Sequence, residues 1–457
     1  MSIEDYLKSW STRPITRRSV LSGSVLGAAG LLLGNNLLRH SLAGESVAPA
    51  TQPVAGKAKA VIQVWLWGGP PHLDTFDPKP EAGEEYSGPL RNPIATNVPG
   101  IRICELLPLL AQQADKYSLI RSMTHGNNGH ETAAYMVQTG WPEGGRVVHP
   151  TLGAIVSRFK GYDAGYKGLI PPYVVLTQPQ GRFSETGFLP ARYKPFATGG
   201  DPGRNRFEVE GIVAPGISDE RQKNRHAFLA ELNTLRKANA GDPEMAASDD
   251  AEKEAYDLIL GDAGKVFDLS QEDDEVRDRY GRNTFGASCL VARRLVQRGI
   301  VYITINSGGW DTHKENFQAM RQKLPVLDKG LSSLLDDLSK LGLLDSTIVW
   351  CCGEFGRTPK VDTQAPWNGG RGHYGKVFSA LVAGGGFKGG QVVGASDARG
   401  EEVKERPVYP CDLIASMCDL LGIDPAAGLP HPEGILVPVS PLAEGGVKTG
   451  GRLKEIM

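Results

Sequence analysis

Short apolar runs alternate with amphipathic stretches along this chain, and this pattern constrains the fold more than any other feature. Strand-like runs cover 60–69, 117–123, 301–306, 346–352 and 379–385, and helix-like patterns cover 105–116, 288–299 and 324–342. Strands and helices in alternation predict a mostly parallel sheet with helices on both faces. The runs are continuously apolar, as expected for strands that are buried on both sides. The sequence therefore predicts an α/β fold.

The N-terminal region differs in character from the rest of the chain. Residues 1–43 contain Arg17 and Arg18, then an apolar stretch rich in small residues, then the small-x-small cleavage candidate Ser41-Leu42-Ala43. Such a segment predicts a twin-arginine signal peptide, and an uncleaved membrane anchor is the alternative. Serine and asparagine residues interrupt the apolar stretch, which favours the signal peptide over a membrane span. We therefore expect a periplasmic or extracellular protein that uses the twin-arginine translocation machinery.

Composition also divides the remainder of the chain. Gly, Pro, Arg and acidic residues predominate between about 176 and 275, with a helix-like pattern at 221–239, and this predicts an inserted cap or lid. We predict a linker over 44–58, a main domain over 59–445 that carries this insertion, and a tail over 446–457.

Charge and cysteine content exclude some classes of function. The chain has 50 Lys and Arg against 52 Asp and Glu, a net charge of −2, and so lacks the basic field that nucleic-acid binding requires. Its six cysteines show no C-x-x-C or zinc-finger spacing, which predicts buried free thiols for most of them.

Ionisable residues gather in the loops that follow the strands. These loops read GGPPHLDTFD from 68, THGNNGHET from 124, WDTH from 310, GEFGRTP from 353 and RGHYG from 371. Six of the nine histidines lie in or near them: His72, His125, His130, His149, His313 and His373. In open α/β sheets, ligands bind outside the carboxyl ends of the strands. We therefore expect acids and imidazoles from distant parts of the chain to meet at one site.

A mixture of carboxylates and imidazoles predicts a metal ion. The mixture suits zinc, manganese or iron, and a subset dominated by carboxylates suits calcium or magnesium. Taken singly, Asp74 is also compatible with a helix cap and Asp311 with an Asx turn. Asp77, His72 and His125 are alternative ligands at the same loops.

Three other side chains near the expected site have two interpretations each. Arg357 either binds an anionic substrate with two hydrogen bonds or pairs with a structural carboxylate. Trp67, on the first strand, is predicted to pack rather than to contact a substrate. Trp310, at the edge of the expected site, is compatible with either role.

The motifs GGPPHLDTFDPKP, GGWDTHKENF, GEFGRTPK and GRGHYG, together with the twin-arginine start, resemble an exported bacterial family of unknown function that is allied to sulfatases and alkaline phosphatases. The resemblance covers roughly 60–440. It implies the alkaline-phosphatase-like three-layer α/β/α sandwich and a divalent metal such as zinc, calcium or manganese. It also implies the metal ligands Asp74, Asp311, His313, Glu354 and His373.

The chain departs from the allied enzymes at two points. Phe355 stands where they have a metal-binding histidine after an acid. Their nucleophile position falls on His130 in one alignment and on Gly126 in another, and neither residue is Ser, Thr or Cys. These departures favour metal-activated water over a covalent intermediate.

Two functions follow from this reading. The first is a metal-dependent hydrolase of sulfate or phosphate esters, in which Arg357 holds the anion and His130 transfers protons. Its substrate is an anionic small molecule or a polysaccharide ester. The second is a secreted binding or structural protein that retains the scaffold without catalysis, because a fold does not determine a function.

Overall fold

A computed structural model of the protein describes residues 56–144, 147–178, 185–204, 207, 209 and 264–457. The predicted signal peptide, most of the predicted linker and most of the predicted cap, including the pattern at 221–239, lie outside these residues. The predicted domain boundaries stay predictions.

The described residues form sixteen strands and eight α-helices. The strands are β1 Ala60–Leu66, β2 Ile94–Ala95, β3 Arg102–Ile103, β4 Tyr117–Met123, β5 Tyr173–Leu176, β6 Phe196–Ala197, β7 Tyr302–Ser307, β8 Thr347–Cys352, β9 Gly356–Arg357, β10 His373–Tyr374, β11 Phe378–Ala383, β12 Val392–Val393, β13 Ala395–Ser396, β14 Val403–Glu405, β15 Gly428–Pro430 and β16 Leu436–Pro438. The helices are α1 Glu84–Ser87, α2 Pro108–Ala111, α3 His130–Thr139, α4 Leu152–Val156, α5 Asp274–Tyr280, α6 Thr284–Gln297, α7 Asn316–Lys340 and α8 Pro410–Leu421.

Eight of the strands form one central sheet in the order β12-β4-β11-β8-β1-β7-β5-β6. β1 lies in the middle and pairs in parallel with β7 and with β8. β11 runs antiparallel to both of its neighbours, β4 and β8. The sheet is therefore mostly parallel, with one reversed strand.

Helices cover both faces of this sheet. Along β1, Ile62 and Val64 belong to a core shared with α6 and α7, whereas Val61 and Trp65 belong to a second core shared with α3, α4 and α8. Every residue of β1 is buried, and all but Gln63 are apolar, because helices cover both faces between which the side chains alternate. The predicted α/β class with a mostly parallel sheet between two helical layers is confirmed.

The predicted elements agree with the structure except at their ends. The pattern at 105–116 is helical only over Pro108–Ala111 and in a 3-10 turn over Ala114–Lys116. The pattern at 324–342 belongs to a helix that begins earlier, at Asn316. β6 lies within the predicted cap but pairs with β5 in the central sheet.

The six cysteines are all buried and free, as predicted for most of them. Within the described ranges, no helix combines the length and the hydropathy that crossing a bilayer would require.

Candidate metal centre

The sheet topology brings distant loops to one edge. β1, β4, β7 and β8 point in the same direction, so the loops after them lie at the same edge of the sheet. Because β11 is reversed, the residues that precede it reach this edge. His373 is one of them, and it is held by the ribbon in which β10 pairs with β9, opposite Arg357.

Four side chains meet at this edge, and we call them the imidazole cluster: Asp311, His130, His313 and His373. Asp311 Oδ1 lies 3.1 Å from His313 Nε2 and 3.1 Å from His373 Nε2. Asp311 Oδ2 lies 3.3 Å from His130 Nε2. The Nε2 atoms of His313 and His373 are 2.8 Å apart. One ligand atom from each of His130, Asp311 and His373 lies within 4.8 Å of the other two, close enough to hold one metal ion.

Oxygen atoms contact the other ring nitrogen of two of these histidines. His373 Nδ1 lies 2.8 Å from the backbone oxygen of Asn128, which can only accept, so Nδ1 carries the proton. His130 Nδ1 lies 2.6 Å from Glu354 Oε1. When one imidazole nitrogen donates to such an oxygen, the other presents a lone pair, which is the usual state of a metal-binding histidine.

The other ring nitrogen of His373, Nε2, faces Asp311 Oδ1 at 3.1 Å at the centre of the cluster. The contact becomes favourable only with a proton or a cation between the two atoms. The donor set of one carboxylate and up to three imidazole nitrogens fits zinc or manganese.

The cluster also perturbs the pKa of its members. Burial acts to raise the pKa of Asp311, but the hydrogen bond and charge of Arg357, with the neighbouring histidines, outweigh it and lower this pKa to about 2. The hydrogen bond to Glu354 raises the pKa of His130. Burial lowers the pKa of His313. The cluster therefore holds an ionised carboxylate, half-exposed at 44%, at the surface of the sheet edge.

Glu354 is fully buried behind the imidazole cluster. Its Oε1 accepts from the backbone nitrogen of Gly68 at 2.9 Å as well as contacting His130. Phe355 packs beside it, with its ring centroid 4.9 Å from that of His130 and 4.7 Å from that of His373. Gly69 permits this arrangement, since a Cβ there would lie 2.5 Å from the Phe355 ring. Phe355 therefore packs against the rings of His130 and His373 and does not supply a metal ligand itself.

Arg357 has no exposed side-chain surface and donates within the protein. Its Nε donates to the Gly69 oxygen and its Nη1 to the Arg371 oxygen, each at 3.1 Å. Its Nη2 donates to the Gly68 oxygen and to Asp311. Of its two interpretations, the structure shows pairing with a carboxylate, and that carboxylate belongs to the imidazole cluster.

Asp74 lies in a separate group that we call the buried network: Asp74, Arg371, Asn316 and Thr312. Arg371 donates to both carboxylate oxygens of Asp74 at 2.8 Å. Asn316 Nδ2 donates to Asp74 Oδ2 at 2.7 Å, and Thr312 Oγ1 donates to Asn316 Oδ1 at 2.7 Å. The backbone nitrogen of Arg371 donates to the Thr312 oxygen at 3.0 Å, which closes the network. All four residues are buried.

The segment from 310 to 316 therefore serves two groups. Asp311 and His313 belong to the imidazole cluster, whereas Thr312 and Asn316 belong to the buried network. Trp310 is buried and donates from its indole nitrogen to Ser307 Oγ, so it packs in the core.

The structure brings most of the predicted site residues together. His130, His313 and His373 each contact Asp311, and Glu354 and Arg357 each contact one member of the cluster. No hydrogen bond or ion pair joins the Asp74 carboxylate to the imidazole cluster within the described part of the chain. Sequence reasoning missed three supporting residues: Asn128, Asn316 and Arg371. The neighbouring motif residues could have indicated Arg371, but a backbone oxygen such as that of Asn128 leaves no sequence signal.

His72 and His125, the alternative ligands, lie beside the cluster. His125 Nε2 is 2.7 Å from the Glu354 backbone oxygen, and its Nδ1 accepts from the Asn127 nitrogen at 3.0 Å. His72 Nε2 is 2.9 Å from the Gly400 oxygen. Burial lowers the pKa of both rings, that of His125 to about 4.

These features define an α/β protein with a candidate metal-binding cluster at the carboxyl edge of a mostly parallel sheet. The chain belongs to the family described as "Protein of unknown function (DUF1501)", whose model matches residues 58–444. The predicted membership of an uncharacterised family is therefore confirmed. No curated protein sequence matches the chain significantly.

The chain is similar to solved structures at low identity. It matches a protein in the alkaline phosphatase superfamily from Vibrio parahaemolyticus at 12% identity and a TM-score of 0.36, over 86% of this chain and 75% of that one. It matches a sulfatase from Pseudoalteromonas sp. at 14% identity and a TM-score of 0.33, over 81% and 68% respectively. It matches the lipoteichoic acid synthase LtaP from Listeria monocytogenes at 10% identity and a TM-score of 0.36, over 83% and 76%. At such scores, arguments about the site depend on the geometry of this chain alone.

Proposed function

We propose that this protein is an exported metal-dependent hydrolase of sulfate or phosphate esters. One observation carries the proposal: imidazole nitrogens of His130 and His373 face Asp311 while their opposite nitrogens are fixed by Glu354 and Asn128. This is the arrangement of a metal site whose ligands are oriented by outer partners. The resemblance of the loop motifs to those of sulfatases and alkaline phosphatases supports the reaction class.

Each predicted residue receives a role in this proposal. Asp311, His130 and His373 hold the metal ion, and His313, within 3.1 Å of Asp311, is the fourth ligand. Glu354 orients His130 and does not bind the ion itself, because its Oε1 is shared between His130 and Gly68. Arg357 positions Asp311.

The reaction adds a water oxygen to sulfur or phosphorus, and the ester oxygen leaves as an alcohol after it takes up a proton. Inorganic sulfate or phosphate is the second product. A bound divalent ion would polarise the ester and activate the water. The roles of Asp74 as a ligand and of His130 as a proton carrier stay predictions.

Metal content tests the proposal directly. Full-length protein purified without chelator should contain near-stoichiometric zinc, manganese or calcium by elemental analysis. Asp311→Asn and His373→Gln should each weaken metal binding more than about a hundredfold, because they remove a ligand. His431→Gln is the matched control, since this histidine lies on a hairpin away from the cluster. Equal metal binding by wild type and Asp311→Asn would contradict the proposal.

One observation favours the second candidate function, a binding protein without catalysis. No Ser, Thr or Cys side chain hydrogen-bonds to Asp311, His130 or His373 within the described ranges. A panel of aryl sulfates and aryl phosphates separates the two functions. Turnover that depends on Asp311 supports the hydrolase, and stoichiometric metal without turnover of any ester supports the binding protein.

A further inference from the structure

In the described part of the chain, tryptophan side chains divide into two groups by exposure. Trp65, Trp310 and Trp350 are at most 1% exposed and Trp141 is 8% exposed, so these four are buried. Trp367 is 38% exposed, and Trp67 is partly exposed at the end of β1. A large aromatic side chain that stays in contact with water at a ligand site is a common anchor for a partner molecule.

Both of these tryptophans flank the imidazole cluster, from opposite ends. The distance between ring centroids is 5.6 Å for Trp67 and His130 and 4.3 Å for His130 and His373. It is 4.6 Å for His373 and His313 and 6.2 Å for His313 and Trp367. We call these five rings the aromatic row. The ionised Asp311 contacts each of its three central rings.

The backbone holds both ends of the row in place. Trp67 donates from its backbone nitrogen to the Ser307 oxygen at 2.9 Å and accepts from the Trp310 nitrogen at 3.1 Å. The loop that carries Trp367 is closed by hydrogen bonds between Asp362 and Gly370 and between Gly369 and Asp362. The Trp367 oxygen also accepts from the Glu315 nitrogen at 3.1 Å. The backbone that carries each indole is therefore held in place, which lowers the entropic cost of binding.

A single small ester would contact one end of this row. A ligand that uses both ends must be extended, with a flat ring on each side of the group that meets the cluster. The face of a sugar ring presents C–H groups that pack on an indole, and its edge presents hydroxyl groups for the polar residues around it.

We propose that Trp67 and Trp367 are two sugar-binding subsites and that the substrate is an anionic oligosaccharide laid along the aromatic row. The sulfate or phosphate ester of a central ring meets the imidazole cluster, and rings on either side stack on the two tryptophans. This inference rests on the proposed function, since it supplies the alcohol part of the same ester.

Binding of sulfated galacto-oligosaccharides of two, four and six rings to the metal-loaded full-length protein tests this inference by calorimetry. Affinity should rise with ring number. Trp67→Ala and Trp367→Ala should each weaken binding of the six-ring chain about tenfold, as is usual for a tryptophan anchor. Leu436→Ala is the control, because this 70% exposed side chain lies on the β15–β16 hairpin.

Two further arms make the result decisive. Both tryptophan variants should still bind metal, which shows that they are folded and that the cluster is intact. If Trp67→Ala also loses metal, Trp67→Phe replaces it, and this variant should retain both metal and oligosaccharide. Equal affinity for two and six rings, or variants within twofold of wild type, would overturn the inference. Absence of metal binding by the wild-type protein would instead overturn the proposed function.

Discussion

The buried network around Asp74 and the imidazole cluster around Asp311 have similar ingredients and different surroundings. Both aspartates follow strands of the same sheet, and both contact an arginine. Asp74 is 1% exposed, and its two oxygens are satisfied by Arg371 and Asn316. The Asp311 side chain is 44% exposed and faces three imidazoles.

From this difference we expect a structural role for Asp74 and a functional role for Asp311. The buried carboxylate of Asp74 already accepts three hydrogen bonds from buried donors, which leaves little capacity for a ligand. A half-exposed carboxylate that faces imidazole nitrogens has capacity left for a cation, or for protons on those rings. The two regions therefore differ in how far the hydrogen-bonding capacity of their aspartate is filled. The sequence does not show this property.

The largest expected effect comes from a substitution that breaks the buried network. Arg371→Leu leaves Asp74 charged, buried and without its main partner, and should lower the free energy of unfolding by about 3–5 kcal/mol. Chemical denaturation followed by circular dichroism measures it. Lys360→Leu is the control, since that ion pair lies on the surface, where solvent screening leaves it little contribution to stability. A loss below 1 kcal/mol in Arg371→Leu would mean that Asp74 is not a structural residue.

The second prediction uses His125, a satisfied histidine, as the counterpart of the cluster histidines. Its folded pKa is about 4, below the unfolded value of about 6.5. The folded state therefore disfavours the proton, so this contribution to stability is full above pH 6.5 and is lost as the pH falls from 6.5 towards 4. Between pH 7 and pH 5 the loss should be about 1–2 kcal/mol.

The His125→Gln variant provides the measurement. Glutamine can donate to the Glu354 oxygen in the manner of His125 Nε2 but does not titrate. The difference in unfolding free energy between pH 7 and pH 5 should therefore be smaller in the variant than in the wild type. An identical pH dependence in the two proteins would show that His125 does not remain neutral on folding.

The smallest expected effect tests whether Glu354 is one of the metal ligands. Glu354→Gln retains an acceptor for His130 but removes the negative charge, so metal affinity should fall about tenfold without loss of the site. Metal titration measures the affinity, and nitrogen chemical shifts of His130 report its tautomer. A loss as large as that of Asp311→Asn would instead make Glu354 a direct ligand, as the sequence predicts.

The sequence predicts the sheet well because its information is local. Continuous apolar runs such as β1 and β8 can be read directly, and so can the helix around Leu334. The gathering of loop residues at one edge then follows from parallel strand direction. The metal ligands are harder to predict from the sequence, because Asp74 and Asp311 have equivalent sequence contexts. They differ only in the residues that contact them in the folded protein.

Two tryptophans illustrate the same limit. Trp310 stands beside Asp311 in the chain, yet it is buried and bonded to Ser307. Trp67 belongs to an apolar run that predicts packing, and it does pack against the second core, but its ring also lies 5.6 Å from His130 at the sheet edge. The direction in which a side chain points at the end of a strand decides whether it is buried or lies at the site. The amino-acid composition does not indicate that direction.

The reversed direction of β11 has a consequence for how the cluster arises during folding. His130 begins helix α3 after β4 and His373 begins β10 before β11, whereas Asp311 and Glu354 follow β7 and β8. A fragment that ends before β11 would hold His373 near Asp311 only through the β9–β10 ribbon. Cation binding should therefore strengthen once β11 has joined the sheet, which would distinguish a truncated polypeptide from the finished protein.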